Sequence, residues 1–439
     1  MQGADTVTGG DAAAGDAARD VPGAPSGATA APVAIVSTVS TLAGSGTATF
    51  ADGTGAAASF NNPVGLAVDA TGNVYVADTG NHRIRKVTPA GVVTTLAGSG
   101  TATFADGTGA TASFFIPLGV AVDLAGNVYV ADGGNQRIRK VTSAGVVTTL
   151  AGSGTPAYND GTGTGADFSG PSAVAVDGSG NVYVADQTNQ RLRFVSPAGV
   201  VTTLAGSGTA TFADGTGTAA SFNYLFGIAV DGGNVWVADS SNQRIRKMTA
   251  SGMVSTLAGS SSSNPLTDGI GAAATFAHPD GIALDASLNA YVADTDHQTI
   301  RVVSAAGVVT TLAGSGTAAF ADGASATAEF NSPEGIAVDA ARNVYVGDSN
   351  NNRIRKITSV GLGELAVTWT APSAGSSAIL GYTASASAVS HAMKTCVTGG
   401  ATSCTITGLA SGVVYNISVT ASNAVGMSAP SANIPGTPN

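Results

Sequence analysis

The chain has 439 residues, of which 60 are Gly and only 10% are charged, and its formal net charge is −10. So acidic a chain, with 18 basic residues, is poorly suited to binding nucleic acid or anionic lipid. It lacks the long amphipathic stripes of a helical bundle, and no apolar run approaches the roughly 20 residues of a membrane-spanning helix.

The N-terminal segments differ in character. Residues 1–20 are rich in Gly, Ala and Asp, which predicts a flexible leader, and no signal peptide is visible in them. Residues 21–31 read Val-Pro-Gly-Ala-Pro-Ser-Gly-Ala-Thr-Ala-Ala and are expected to form a strand. The next segment, Val39–Gly44, repeats the strand that closes each unit of the following region.

An internal repeat fills the centre of the chain. A short apolar strand ending in Asp recurs every 54 residues, at Asp69, Asp123, Asp177, Asp231, Asp285 and Asp339. One period contains four β-branched runs separated by Gly, Asn, Asp and Pro turns: 65–68, 74–77, 83–87 and 92–96. Four antiparallel strands in a repeat of this length predict an all-β fold built of β-propeller blades.

The repeat resembles the NHL family in its Pro-x-Gly-x-Ala-Val-Asp, Gly-Asn-Val-Tyr-Val-Ala-Asp and Asn-x-Arg-Ile-Arg strands. The resemblance covers residues 36–358 and implies a six-bladed propeller. The sixth repeat stops after its third strand, Arg353–Ile357, and the missing fourth strand stands alone at Val39–Gly44. We therefore expect an N-terminal strand to close blade six of a propeller spanning 33–358.

Two further features of the repeat predict scaffold roles. Each long loop carries two bulky apolar residues ten positions apart, such as Phe50 and Phe60, which we expect to pin the loop onto the blades. The motif Asp-x-x-Asn-x-Arg, for example Asp78, Asn81 and Arg83, suits a tight turn in which the Arg pairs with the Asp and bonds turn carbonyls. Some NHL propellers bind RNA, but the net charge argues against it here.

Residues 361–436 resemble a bacterial fibronectin type III domain. Trp369 on the strand 365–372 matches the core Trp, and Tyr415 after Gly408-Leu409 matches the tyrosine corner. A first strand is missing there, whereas residues 22–31 resemble one. We expect the propeller to be inserted between the first two strands of the sandwich, because ring closure brings its ends together. The rival is that residues 22–31 complete a neighbouring molecule and build a filament.

The two cysteines, Cys396 and Cys404, lie eight positions apart across Gly399-Gly400 in the sandwich. This spacing predicts a disulfide on a hairpin and an oxidising compartment, hence an extracellular or cell-surface location.

Departures from the repeat mark the candidate site. The residues between Pro and Gly of the innermost strand face the top of the central channel: Val64, Leu118, Ser172, Phe226, Asp280 and Glu334. Two positions earlier stand Asn62, Ile116, Gly170, Tyr224, His278 and Ser332. One side is apolar (the apolar sector: Ile116, Leu118, Tyr224, Phe226) and the other is acidic (the acidic sector: His278, Asp280, Glu334). Blade five also replaces Asn-x-Arg by His-x-Thr after Asp296. The predicted ligand-binding residues are His278, Asp280, Asp296, His297, Glu334, Tyr224 and Phe226.

These patterns favour an exported binding or scaffold protein that recognises a protein or carbohydrate with the top face and loops, without a cofactor, nucleic acid or membrane insertion. One alternative is a lyase or hydrolase at the rim of blades five and six, where carboxylates and His could act as acid and base or hold Ca²⁺. Because no nucleophile elbow, phosphate loop or zinc spacing occurs, the enzyme is the less favoured class, and no catalytic residue is assigned. The other alternative is the filament subunit that uses residues 22–31.

Overall fold

The computed structural model describes residues 21–33, 36–360, 363–374, 377–410 and 413–438, so the predicted leader, 1–20, lies outside the described residues. The chain divides into two compact units, one of residues 36–359 and one formed by residues from both chain ends. No helix in the described ranges is long and apolar enough to cross a membrane.

The larger unit consists of six antiparallel sheets of five strands, which are the blades of a propeller. The innermost strands are Pro63–Val68, Pro117–Val122, Pro171–Val176, Leu225–Asp231, Pro279–Leu284 and Pro333–Val338. The second strands are Val74–Asp78, Val128–Asp132, Val182–Asp186, Asn234–Asp239, Ala290–Asp294 and Val344–Asp348. The third strands are Arg83–Val87, Arg137–Val141, Arg191–Val195, Arg244–Met248, Thr299–Val303 and Arg353–Val360. The fourth strands are Val92–Ala97, Val146–Ala151, Val200–Ala205, Met253–Gly259, Val308–Ala313 and, in blade six, Val36–Ala43.

The long loops add an outer edge that the sequence analysis did not anticipate. Each contributes a two-residue fifth strand: Gly53–Thr54, Gly107–Thr108, Gly161–Thr162, Gly215–Thr216, Gly269–Ile270 and Gly323–Ala324. Short 3-10 turns follow five of these strands, at Gly55–Ala57, Gly109–Thr111, Gly163–Gly165, Gly217–Ala219 and Gly271–Ala273. Others follow four second strands, at Thr79–Asn81, Gly133–Asn135, Ser240–Asn242 and Ser349–Asn351.

Ring closure is confirmed. In blade six the N-terminal strand Val36–Ala43 lies between Arg353–Val360 and the short strand Gly323–Ala324. The innermost strand of blade six also contacts that of blade one, so the ring is continuous. Closure removes the free sheet edges that an open array of blades would expose.

Each blade is held by a buried ion pair. The Arg85 guanidinium lies 2.6 Å from Asp78 and 2.7 Å from Asp52, and the other five blades repeat this arrangement. The prediction that Arg83 pairs with Asp78 is therefore wrong. Arg83 instead donates to two carbonyls, that of the turn residue Asn81 at 3.3 Å, as predicted, and that of Ser99 in the following loop at 2.7 Å.

The two bulky loop residues behave differently. Phe60 is completely buried and pins the loop, as expected, whereas 40% of Phe50 is exposed. One face of the Phe50 ring covers the Arg83 guanidinium, whose carbon lies 3.9 Å from the ring centroid. The outer aromatic residue thus stacks on an arginine rather than filling the core.

The smaller unit is a sandwich of two sheets. One sheet contains Ser26–Pro32, Leu365–Thr370 and Ser403–Ile406; the other contains His391–Thr398, Ile379–Ala388, Tyr415–Asn423 and Ile434–Gly436. Within the first sheet, Pro32 pairs with Leu365 and Thr29 with Thr368, in antiparallel register. This is the pairing that the insertion hypothesis requires.

Aromatic residues fill the sandwich core. Trp369 packs on Tyr382 with 5.3 Å between ring centroids, and the Tyr415 hydroxyl accepts a hydrogen bond from the Ala410 amide at 3.0 Å. The Tyr415 bond to the backbone five residues upstream is the contact expected of a tyrosine corner.

The cysteines form a disulfide, Cys396–Cys404. They do not lie on one hairpin, however: Cys396 is on His391–Thr398 and Cys404 is on Ser403–Ile406, in the other sheet. The turn between these strands crosses from one sheet to the other, so the disulfide joins the two layers.

Candidate functional site

The upper mouth is the end of the central channel where the innermost strands begin. Its cavity is lined by Val64, Leu118, Ser172, Phe226, Glu334 and the small residues that follow them, which are glycines except for Ala173, and its volume is about 60 Å³. A water molecule needs about 10–15 Å³ of such volume, so the cavity holds a few waters or one small group rather than a whole ligand. Any larger ligand must rest on the rim.

The channel narrows directly below this cavity. Six apolar side chains, none more than 7% exposed, separate the upper cavity from a lower one: Leu66, Val120, Val174, Ile228, Ile282 and Ile336. Close approach of the innermost strands explains the Gly of the Pro-x-Gly motif. A Cβ on Gly65 would lie 2.2 Å from the Leu118 carbonyl oxygen, so a side chain there would force two blades apart.

Two carboxyl groups distinguish the acidic sector. Asp280 is 9% exposed and accepts a hydrogen bond from the Ser240 hydroxyl at 2.8 Å. Burial raises its pKa to about 6. Glu334 lines the cavity and is half-buried; burial, and then the charge of Asp280, raise its pKa to about 8. At neutral pH Glu334 is therefore mostly protonated and can both donate and accept hydrogen bonds.

His278 and Asp296 form a second, more exposed pair. Their side chains are 48% and 58% exposed, and His278 Nδ1 lies 2.5 Å from Asp296 Oδ2. This pair extends the acidic sector outward along the rim.

His297 does not join these groups. It is buried, and its Nδ1 lies 2.9 Å from Asp294 Oδ2. In blade one the side-chain nitrogen of Asn81 lies 2.9 Å from Asp78 Oδ2, so His297 makes the contact that Asn81 makes there. The Asp-His sequence predicted a rim residue, but the structure gives His297 the position of the turn Asn beside the buried ion pair.

The apolar sector presents aromatic surface to solvent. The Tyr224 and Phe226 rings stack with 6.5 Å between centroids and an interplanar angle of 29°. Tyr224 is 47% exposed and Ile116 is 38% exposed, while Phe226 reaches the cavity. In the structure, the apolar side of the mouth presents stacked aromatic rings, and the acidic side presents partly buried carboxyl groups.

A feature that the sequence analysis missed is the backbone of the rim. Ile116, Tyr224 and His278 have φ values of 50°, 58° and 47°, in the left-handed region. The same conformation occurs at Asn62, Gly170 and Ser332. Each of these six amides donates to a side chain of the preceding blade: Asn352, His82, Gln136, Gln190, Gln243 and Gln298. The inter-blade bond therefore imposes the conformation. In the sequence, this conformation could have been inferred from Asn62 and Gly170, because Asn and Gly tolerate left-handed backbone best.

Comparisons with known proteins agree with this architecture. The fibronectin type III domain family matches residues 354–437, and the NHL repeat family matches 60–87, 116–141, 222–248 and 330–357. NHL repeat-containing protein 2 of Bos taurus is 30% identical over 334 residues, which cover 67% of this chain and 46% of that protein. Protein SUPPRESSOR OF QUENCHING 1, chloroplastic, of Arabidopsis thaliana is 30% identical over 316 residues, which cover 67% of this chain and 30% of that protein. The chain spans less than half the length of these curated relatives.

Solved structures share the propeller fold at lower identity. A protein of unknown function from Bacteroides thetaiotaomicron has a TM-score of 0.59 and 21% identity, covering 74% of this chain and 76% of that one. An auxiliary nutrient binding protein from the same organism has a TM-score of 0.57 and 17% identity, covering 74% and 77%.

Proposed function

The chain carries NHL repeats that build a six-bladed propeller, together with a fibronectin type III domain, and from this premise we propose that it is an exported binding module that recognises the end of a carbohydrate chain at the upper mouth. The observation that carries the proposal is the choice of rim residues. Ile116, Tyr224 and His278 are bulky and exposed, and they occupy left-handed backbone positions that Gly or Asn would adopt with less strain.

Left-handed backbone costs an ordinary L-residue about 1–2 kcal/mol, and a β-branched or aromatic residue there is uncommon. Blades one and three avoid this cost with Asn62 and Gly170. Tyr224 remains 47% exposed, so burial of its side chain offsets only part of the strain. Strain that packing does not explain is characteristic of positions kept for what the side chain contacts.

The chemistry of the mouth fits a sugar. A pyranose ring has an apolar C–H face and a periphery of hydroxyl groups, and the stacked Tyr224 and Phe226 rings offer an apolar surface for the first. Protonated Glu334 can donate and accept hydrogen bonds, and Asp280 can accept them, so both can bind the hydroxyl groups of the sugar. The small cavity has room for one substituent of the sugar rather than for the ring.

Two other observations support the exported binding role. The disulfide Cys396–Cys404 belongs to an oxidising compartment. One solved propeller of the same fold is described as an auxiliary nutrient binding protein. A protein surface is the other ligand class that this rim could accept.

A lyase or hydrolase remains the second candidate because the carboxyl pair has separated pKa values, about 6 for Asp280 and about 8 for Glu334. Such a separation is what an acid and a base require. Binding of Ca²⁺ at this rim is a further proposal, which a measurement of bound metal would test. In the described ranges, no group of three or more His, Cys, Asp or Glu side chains that could hold a metal ion comes together.

The test is titration of a panel of neutral mono- and oligosaccharides into the protein, with binding followed by calorimetry. The double variant Asp280→Ala/Glu334→Ala, which removes both hydrogen-bonding groups, should bind the best ligand at least tenfold more weakly, a loss of about 1.4 kcal/mol or more. The matched control is Leu124→Ala, which removes a side chain 93% exposed outside the upper mouth and should change nothing. Equal affinities in the double variant would exclude this site, and conversion of the sugar during the titration would favour the enzyme.

A further inference from the structure

Five of the six blades fill the same surface slot with an arginine. The first Arg of the third strand lies under the exposed aromatic residue of the long loop, with the guanidinium carbon 3.8–4.1 Å from the ring centroid. The pairs are Arg83/Phe50, Arg137/Phe104, Arg191/Tyr158, Arg244/Phe212 and Arg353/Phe320. These blades show which chemical group the slot accommodates.

Blade one shows the contacts. Arg83 donates to the carbonyl of Asn81 at 3.3 Å and to the carbonyl of Ser99 at 2.7 Å. The guanidinium lies against Gly100, where an added Cβ would be 2.3 Å from Arg83 Nη1. The slot is thus two carbonyl oxygens, one glycine surface and an apolar cover.

Blade five has the slot without its arginine. Thr299 stands at the Arg position and Leu266 at the aromatic position. The Thr299 methyl group takes the place of the Arg γ-carbon: it lies 3.2 Å from the Cβ position of Gly314, as the Arg83 γ-carbon does from that of Gly98. Thr299 is completely buried, so it closes the inner end of the slot and does not reach the space that the guanidinium fills in blade one.

The outer part of the slot, at Ser315 and Gly316, is open to solvent. An added Cβ on Gly316, the counterpart of Gly100, would meet only the His297 carbonyl oxygen, at 3.7 Å. Ser315 and Gly316 are exposed, whereas Ser99 and Gly100 are half-buried under the arginine. Among the described residues, none donates a hydrogen bond to the His297 or Ser315 carbonyl, the two acceptors that match Asn81 and Ser99.

The charge of the slot also changes. In blade one Arg83 and Arg85 offset Asp52 and Asp78. In blade five a single arginine, Arg301, faces both Asp268 and Asp294. The slot therefore has one arginine charge fewer than in blade one, which makes it more attractive to a cation.

We propose that this blade-five slot, formed by the His297 and Ser315 carbonyls and Gly316 beside the partly exposed Leu266, and closed at its inner end by the buried Thr299, binds the guanidinium group of a ligand. The planar cation would make the two hydrogen bonds that the arginine makes in blades one, two, three and six. An arginine side chain of a polypeptide and a free guanidinium compound share this chemistry. The inference rests on the blade comparison and does not depend on the carbohydrate proposal.

The experiment titrates N-acetylarginine amide into ¹⁵N-labelled protein at pH 8, where an ordinary imidazole is neutral. We expect saturable shifts of the Ser315 and Gly316 amide signals. The neutral isostere N-acetylcitrulline amide should bind at least tenfold more weakly because it lacks the charge. Tighter binding by an arginine-containing peptide would identify a polypeptide as the source, and equal binding would identify a free guanidinium compound.

Two matched variants test the position of the site. Thr299→Arg/Leu266→Phe fills the slot as the sibling blades do and should abolish the shifts. Arg83→Thr/Phe50→Leu opens a second slot in blade one and should add shifts at Ser99 and Gly100. The proposal is overturned if the wild-type protein shows no saturable shift, if citrulline binds as well as arginine, or if the filled variant binds unchanged.

Discussion

Blades one and five have the same plan but differ at the surface. Both contain the buried arginine held by two aspartates, Arg85 in one and Arg301 in the other. They diverge at Asn62 and His278 on the rim, and at Arg83 and Thr299 in the surface slot. What is common to the two blades holds each sheet together. The differences at the rim and at the outer part of the slot are exposed to solvent, whereas His297 and Thr299 differ from their blade-one counterparts at buried positions.

The largest expected effect is on the free energy of unfolding, and it tests the buried arginine that both blades share. Arg85→Met and Arg301→Met should each lower the free energy of unfolding by about 3–5 kcal/mol, because each leaves a buried aspartate without its counter-ion. Urea denaturation measures both. If the blade-five variant were far less harmful than the blade-one variant, the two blades would not share a scaffold.

The next effect concerns Glu334, whose counterpart in blade one is the apolar Val64. Its pKa is raised to about 8 from an ordinary 4.5, so the folded state prefers the protonated form. The stabilisation is complete below pH 4.5 and is lost as the pH rises towards 8. Wild-type stability should fall by about 2 kcal/mol across this window, allowing for partial solvent exposure.

Glu334→Gln removes this titration, so its unfolding free energy should stay flatter between pH 4.5 and 8. Val64→Ala is the matched control because it changes the equivalent blade-one position without altering any charge. Parallel pH profiles for wild type and Glu334→Gln would show that the carboxyl group is not held in a low-dielectric site.

A smaller effect follows from exchanging the surface slots. Arg83→Thr/Phe50→Leu should lower stability by about 1–2 kcal/mol, because it removes two charge-assisted hydrogen bonds and a cation–π contact. Thr299→Arg/Leu266→Phe should leave stability unchanged or raise it. Thermal unfolding of both variants measures this; a loss in both would mean that blade five needs its own slot for folding.

Much of the fold was predictable because the signals were repeated or complementary. A sixth repeat without its fourth strand, and a spare copy of that strand before the first repeat, together required ring closure. Arg83 and Arg85 were not distinguishable in the same way, since alternation puts both on one side of the strand and only the outer loop decides which pairs with Asp78.

The site was less predictable for physical reasons. His297 follows the exposed Asp296, and only the geometry of the buried Asp294 reveals that it replaces a turn Asn. Cys396 and Cys404 were expected on one hairpin because a turn between sheets has the same length as a turn within one. The left-handed rim depends on hydrogen bonds between blades, which no single repeat encodes.

The central claim is that strained rim residues are kept for binding, and Tyr224→Asn tests it most directly. The variant gives blade four the residue that blade one has at Asn62, and Asn62→Tyr is the reverse control. Unfolding free energy and sugar affinity are measured together on the same samples. The account predicts that Tyr224→Asn gains about 1 kcal/mol of stability while sugar affinity falls at least tenfold, and that Asn62→Tyr loses stability without changing affinity. A Tyr224→Asn protein that is less stable, or that binds sugar as wild type does, would contradict the account.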